Sequence, residues 1–306
     1  MSLPVRLSNE QIKAEAKRLG FAHCGMAPAE PVGADFADYY RAWLEADCQA
    51  DMHYLENHFE KRMNPSLLVE GTKTVISVAL NYRPGHVAKG IAWYAQGRDY
   101  HDLMRERMQL LMEAIGAHGR CFVDTAPIPE RYWAWRCGLG WIGKHSQLVI
   151  PHEGSTFFLG ELFVEEEVDL YDHPMTDHCG RCQKCVEACP TGAIGGHHPN
   201  HPSAFDARRC LSYLTIENRG ELPEWAGEAM GDMFYGCDRC LMACPHLQAA
   251  PTDEVELHPS DALQAMTPDD WQHLTTEQYR SLFKGSAVKR AKLEGLRRNL
   301  NAINRS

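Results

Sequence analysis

The chain has 306 residues, a formal net charge of −10, 44% hydrophobic residues and 24% charged residues. That length suits two or three domains around a substantial core, and the composition is neither disordered nor collagen-like. The acidic balance argues against general, sequence-blind binding of nucleic acid, which needs a net basic surface. With no run of 18 apolar residues, no membrane-spanning helix is expected. The opening MSLPVRLSNEQIKAEAKRLGF has neither an apolar signal core nor a twin-arginine pair, so a cytoplasmic protein is expected. In that compartment twelve cysteines read as metal ligands or packed thiols rather than a disulfide framework.

In chain order, Ser8 with Gln11 forms a capping box, and Gly20 stops the first helix. TVISVALNY, residues 74 to 82, is a β-branched apolar run that reads as a buried strand. Asp99 caps a long amphipathic helix with Leu103, Leu110, Leu111 and Ile115 on its buried side. CFVD is a short strand ending at Asp124, and QLVI and TFFLGELFV are two more. Helix and strand alternate to about residue 165, so the first unit is α/β or α+β. After EEEVDLYDHPMTDH the chain turns cysteine-dense and loop-rich as far as Pro245. His197, His198 and His201 interrupt this stretch in a Pro-rich loop without regular ligand geometry, and they read as a solvated insertion. From about residue 251 the pattern is polar and helical. Three units are therefore expected: 1–165, 166–250 and 251–306.

HCGRCQKCVEACPTGAI, residues 178 to 194, spaces Cys179, Cys182, Cys185 and Cys189 as C-x2-C-x2-C-x3-C with Pro190 behind the last. That is the bacterial ferredoxin run for a cubane cluster. Cys237, Cys240 and Cys244 repeat its end before Pro245, with Cys210 as the remaining ligand. In two-cluster ferredoxins the fourth cysteine of each run crosses to the other cluster. Cys179, Cys182, Cys185 and Cys244 would then hold one [4Fe-4S] cluster, and Cys189, Cys210, Cys237 and Cys240 a second. Zinc also takes four thiolates, but zinc modules usually present two C-x2-C pairs. Cys24, Cys48, Cys121 and Cys137 fall outside the pattern and read as packed thiols. Two clusters imply single electrons delivered nearby, yet no G-x-G-x-x-G follows a strand, and CGLGWIGK fits neither that fingerprint nor a P-loop.

Residues 121 to 148, CFVDTAPIPERYWAWRCGLGWIGKHSQL, carry a further set of motifs, together with GRDYH (97–101), FFLGEL (157–162), RRCLSYLTIE (208–217) and YGCDRC (235–240). This set resembles the epoxyqueuosine reductases, cobalamin-dependent iron–sulfur enzymes related to reductive dehalogenases. The resemblance runs from the N-terminus to about residue 300. It implies an α+β protein: a nitroreductase-like cobalamin-binding domain, a ferredoxin-like module with two [4Fe-4S] clusters, and a helical C-terminal segment shorter than in many relatives. It also implies reduction of epoxyqueuosine to queuosine in the tRNA anticodon, the last step of queuosine biosynthesis. Cob(I)alamin, bound base-off and fed through the clusters, would supply the electrons. The cobalamin signature D-x-H-x-x-G is absent, because Asp51-Met52-His53 continues to Glu56.

Within this resemblance Asp124 matches the catalytic acid. Breaking an epoxide C–O bond needs a proton during the step, and a carboxyl facing an apolar corrin would have its pKa raised by desolvation. A cap on the turn at Thr125 is the bland reading of the same residue. Leu148, Leu159, Ser212 and Asp238 match cobalamin contacts, with strand core as the alternative for both leucines. Lys144 and His145 could meet tRNA or a corrin side chain, or simply form a polar turn. Arg219 is a weaker tRNA candidate. Residues 284 to 305 carry Lys284, Lys289, Arg290, Lys292, Arg297, Arg298 and Arg305 against only Glu294, either a phosphate-contacting patch or a solvated helix face. The partners implied are tRNA carrying epoxyqueuosine and an electron donor of flavodoxin or ferredoxin type, the protein acting as a monomer. A reductive dehalogenase or other small-molecule reductase is the alternative, although dehalogenases typically carry a twin-arginine export signal.

Overall fold

The computed structural model describes residues 6–195 and 205–305. His197, His198 and His201 lie outside them. At the centre is β3 (Thr74–Asn81), the β-branched run, buried along nearly its whole length. It pairs antiparallel with β2 (His23–Pro28) on one side and β7 (Phe157–Val164) on the other, and β4 (Gly119–Phe122) adds antiparallel to β7. The four-stranded order β2-β3-β7-β4 makes this unit α+β rather than α/β. β1 (Arg6–Leu7) pairs in parallel with β8 (Glu167–Val168), and β5 (Trp141–Ile142) forms a short hairpin with β6 (Leu148–Val149).

Strand alternation gives the sheet two apolar faces. Ile76, Val78, Leu80, Phe158 and Leu162 face α1 (Asn9–Arg18) and α2 (Tyr100–Ala114). Val75, Ala79, Phe157 and Phe163 face α3 (Glu130–Arg136), through its buried Trp133. Ser8 caps α1 by accepting the Gln11 N–H, and Gly20 behind it has φ +89°, the left-handed stop that glycine tolerates. Asp99 caps α2 as expected, accepting the His101 N–H. The buried stripe of α2 is Leu103, Met104, Met108 and Leu111, whereas Leu110 is 51% exposed. Leu110 lies about 100° round the helix from the centre of that stripe, so heptad spacing from Leu103 alone put it on the wrong side. Gly160 lets α2 lie close to the sheet, since a Cβ there would stand 2.6 Å from Met108 Sδ. The helix Ala34–Glu45 starts behind Gly33 with no side-chain cap and so gives little start signal in the sequence.

The C-terminal segment is helical, as its pattern indicated, and ends in α5 (Lys292–Ile303), which packs on α4 (Leu211–Ile216) beside Cys210. The join is polar and buried. Asn299 Nδ2 donates to the carbonyls of Thr215 and Phe234, both at 2.8 Å. Arg298 donates to the carbonyls of Leu214, Asn218 and Gly220. No helix among the described residues is long and apolar enough to cross a membrane.

On the α3 face of the sheet, opposite Ser77, sits Glu161 with no solvent exposure. Its Oε1 accepts from Ser77 Oγ at 3.2 Å and its Oε2 has no partner. Burial first, and any charge on nearby Glu130 second, hold Glu161 well above the usual carboxylate range, so the protonated form is favoured. The unfolded chain releases that proton above about pH 4.3 while the folded chain keeps it, so this group lowers stability as pH rises. Glu161→Gln is therefore expected to raise the melting temperature at pH 7, by on the order of 1 kcal/mol in stability. It should also flatten the fall of melting temperature above about pH 4.3 in a calorimetric pH series.

Candidate active site and cluster cavities

Cys179, Cys182, Cys185 and Cys244 line one cavity, and Cys189, Cys210, Cys237 and Cys240 line a second. The folded chain thus groups the eight cysteines in the crossed pattern, three from one run with one from the other. Among the described residues, no three His, Cys, Asp or Glu side chains converge tightly enough to hold a single metal ion. The thiols stand apart around a space, as the corners of a cubane require. Main-chain amides aim at the sulfurs: those of Thr191, Ala193 and Ile194 at Cys189, and those of Ser212 and Tyr213 at Cys210. Burial pushes Cys189 up, but these amides and the Thr191 hydroxyl outweigh it and leave the thiol lowered. Cys210 is more deeply enclosed, and burial pushes it up to about 11.

The β5–β6 hairpin lies against the first cavity. Trp141 is 2% exposed and its Nε1–H donates to Cys179 Sγ at 3.4 Å. Lys144 Nζ donates to the carbonyls of Gly180 at 2.8 Å and Cys182 at 2.9 Å. His145 is buried, its Nδ1 accepts the Gln147 N–H, and burial lowers it to about 4, so it is neutral. Lys144 therefore ties the hairpin to the first ligand loop, while His145 braces the hairpin itself through Gln147 and Ser155. Neither offers a free group to a phosphate.

Asp124 follows β4 at the start of the loop to α3, with φ +54°. The strand ends two residues earlier than the CFVD reading, which leaves Asp124 free to turn into the left-handed region. Its main-chain N–H donates to the Glu130 carboxylate. Its Oδ2 accepts from Tyr100 Oη at 3.0 Å and faces His101 Nε2 at 3.2 Å. Behind them, His101 Nδ1 bonds Asp99 Oδ1 at 2.7 Å, and Tyr100 stacks flat on Phe158, ring centroids 4.2 Å apart. The Asp124 side chain remains 60% accessible while that of His101 keeps 22%. Burial opposes charge on His101, but the bonds to Asp124 and Asp99 outweigh it and raise the imidazole to about 9.

This differs from the expected protonated Asp124. The His101 bond, helped by Tyr100, overcomes burial and lowers the Asp124 carboxyl. The proton rests on His101 because an opposite charge within hydrogen-bond reach favours the ionised acid. Glu130 is pushed the other way, by burial first and the Asp124 charge second. Tyr100 and His101 stand in the GRDYH motif, but nothing in the sequence says that a helix start meets a strand end. Glu130 carried no signal beyond its place in the same loop.

The remaining candidates divide. Leu148 is 5% exposed and packs in the core of the α3 face, and half-buried Leu159 packs against the same core. Ser212, half-buried, directs its amide at Cys210. Asp238 is 5% exposed, accepts the Trp93 N–H at 2.8 Å and is raised by burial to about 6. Arg219 donates to the Arg290 carbonyl. In the basic segment Arg290 forms a two-pronged pair with Glu217 at 2.8 and 2.7 Å, and Arg297 and Arg298 bind carbonyls. Lys284, Lys289, Lys292 and Arg305 are exposed. Cys48 and Cys137 are buried, and burial pushes Cys24 and Cys121 to about 12, which makes all four inert packed thiols. His53 sits on an exposed turn bonded to Glu56 at 2.7 Å.

Comparison with known proteins bears on both parts of the chain. Residues 178–246 match a 4Fe-4S double cluster binding domain, and residues 62–125 match the family described as epoxyqueuosine reductase QueG, DUF1730. An epoxyqueuosine reductase of Cellulophaga algicola is 41% identical, covering 96% of this chain and 97% of the relative. That of Escherichia coli is 37% identical, covering 95% and 79% respectively. A crystal structure of epoxyqueuosine reductase with an epoxyqueuosine-modified tRNA-Tyr stem loop superposes with a TM-score of 0.85 at 26% identity, over 96% of this chain and 80% of that one. With a relative 41% identical and spanned almost end to end, this chain belongs to the epoxyqueuosine reductase family.

Proposed function

We propose that this protein reduces epoxyqueuosine to queuosine in the anticodon of tRNA, with Asp124 as the group that protonates the departing oxygen and His101 as the store of its proton. The observation that carries this reading is the Asp99–His101–Asp124 chain, an exposed carboxylate backed by a charged imidazole. Converting an epoxide to an alkene and water consumes two electrons and two protons. The site must therefore feed protons to one oxygen. His101 Nε2 passes its proton to Asp124 Oδ2, Asp124 passes it to the substrate, and Asp99 stabilises the charge on the imidazole meanwhile. Tyr100 fixes the acceptor oxygen, and Glu130 holds the loop through the Asp124 amide.

Two groups complete the reading. The two cysteine sets would hold [4Fe-4S] clusters, adjacent enough for one-electron transfer. Base-off cobalamin is the cofactor the family resemblance implies, and His101 would not ligate its metal, because both ring nitrogens are taken by carboxylates and no lone pair is free. When bound, cobalamin supplies a low-potential reducing metal centre. Leu159 and Ser212 would contact it, with Leu148 and Asp238 reaching it only through the little surface they keep. In this reading residues 1–165 are the catalytic unit, 166–250 the cluster unit and 251–306 a helical support. The protein works as a cytoplasmic monomer fed by a flavodoxin- or ferredoxin-type donor. Exposed Lys284, Lys289 and Lys292 meet tRNA phosphates.

Nucleoside mass spectrometry on epoxyqueuosine-containing tRNA, with reconstituted protein, cobalamin and a strong reductant, should show loss of one oxygen atom. No conversion by fully loaded protein would sink the proposal. Asp124→Asn should keep both clusters and tRNA binding but lose at least about 100-fold in turnover. The His101 imidazole should titrate near 9 by NMR, and lower in Asp124→Asn. Turnover should accordingly fall as pH rises through about 9, where His101 loses its proton. Lys289→Ala with Lys292→Ala should weaken tRNA binding and reduce its logarithmic salt slope by about 1 for each phosphate left without its lysine.

A further inference from the structure

We propose that the β5–β6 hairpin sets the reduction potential of the cluster held by Cys179, Cys182, Cys185 and Cys244, through the Trp141 Nε1–H bond to Cys179 Sγ, and leaves the other cluster untouched. This rests on the iron–sulfur reading above and extends it to a residue outside the cysteine motifs. Three observations carry it. The Trp141 nitrogen stands 3.4 Å from the sulfur, in hydrogen-bond geometry. The indole is fixed there, 2% exposed, with the rings of His178 and His246 edge-on at 5.1 and 4.9 Å. The Lys144 main-chain amide is aimed at the same sulfur, while its Nζ ties the hairpin to the Gly180 and Cys182 carbonyls.

The second cavity has no such visitor among the described residues. Cys189 takes the Thr191 hydroxyl at 3.6 Å and amides of its own segment. Arg239 lines that cavity, but its guanidinium donates to the carbonyls of Ala229 and Met230. A proton directed at a cluster sulfur stabilises negative charge, and the reduced cluster carries one more unit of it. Each added donor therefore makes reduction easier. The hairpin belongs to the catalytic unit, so that unit tunes the cluster it borders and separates the two potentials.

The test is an EPR-monitored redox titration of the anaerobically reconstituted full-length protein. Cys182→Ala, which removes the first cluster's signal, assigns the two midpoints. Trp141→Phe removes the donor, and replacing the Trp141 indole with benzothiophene removes it while keeping the ring shape. The expected result is a lower midpoint for the first cluster in both proteins and an unchanged midpoint for the second. An unchanged first midpoint in the benzothiophene protein, or an equal shift of both clusters, would overturn the tuning role. Absence of any cluster signal in the wild-type protein would overturn the iron–sulfur reading beneath it.

Discussion

The charge chain from Asp99 through His101 to Asp124 fixes the site, because it joins a helix start to a strand end. Asp99 does two things at once, capping α2 and orienting His101. His101 in turn holds Asp124 ionised, and Asp124 occupies a left-handed backbone position that costs a non-glycine residue about 1–2 kcal/mol. The bonds from Tyr100 and His101 and the Glu130 acceptor offset that strain. Neither partner could do its part unless β4 and α2 were held against the same sheet. The two-faced packing of β3 and β7 provides that alignment.

The electrostatics of the site come from unequal burial of neighbouring acids. Asp124 is accessible and has a cationic neighbour, so it ionises. Glu161 is enclosed without one, and at Glu130 burial and the Asp124 charge outweigh Arg131 and His101, so both are pushed towards the protonated form. Of three neighbouring carboxyl groups, one thus favours the ionised form and two the neutral form at the same pH. Burial and the presence or absence of a cationic neighbour set the charge of each acid separately.

Much of the fold was legible from the sequence. The β-branched run 74–82 could only be buried on both faces, and it became the central strand. The Asp99 cap and the long helix followed from residue chemistry that needs no tertiary context. The cysteine spacing specified two cavities and even their crossed membership. Other features depended on the meeting of distant segments. Leu110 was misplaced because a stripe centred on Met104, Met108 and Leu111 is set by what α2 packs against. The proton was assigned to Asp124 rather than His101 because their meeting is tertiary. Trp141 gave no signal, since a tryptophan in a glycine-rich turn is ordinarily read as core. The basic segment looked uniform, yet Arg290, Arg297 and Arg298 were already committed to Glu217 and to carbonyls.

The bond from the Trp93 amide to Asp238 bears on how the two halves of the chain are coupled. Asp238 sits between two cysteines of one cavity, and the amide it accepts belongs to the segment just ahead of α2. Lys144 makes the converse reach, from the hairpin to the loop of the other cavity. Each cysteine loop is thus gripped by a residue of the N-terminal half of the chain. A shift of the loop around Asp238 is therefore passed to the segment that leads into Tyr100 and His101, and a shift of the loop around Gly180 to the hairpin. The cysteine loops and the carboxylate–imidazole chain are in this way parts of one mechanical unit, although more than fifty residues of sequence separate them.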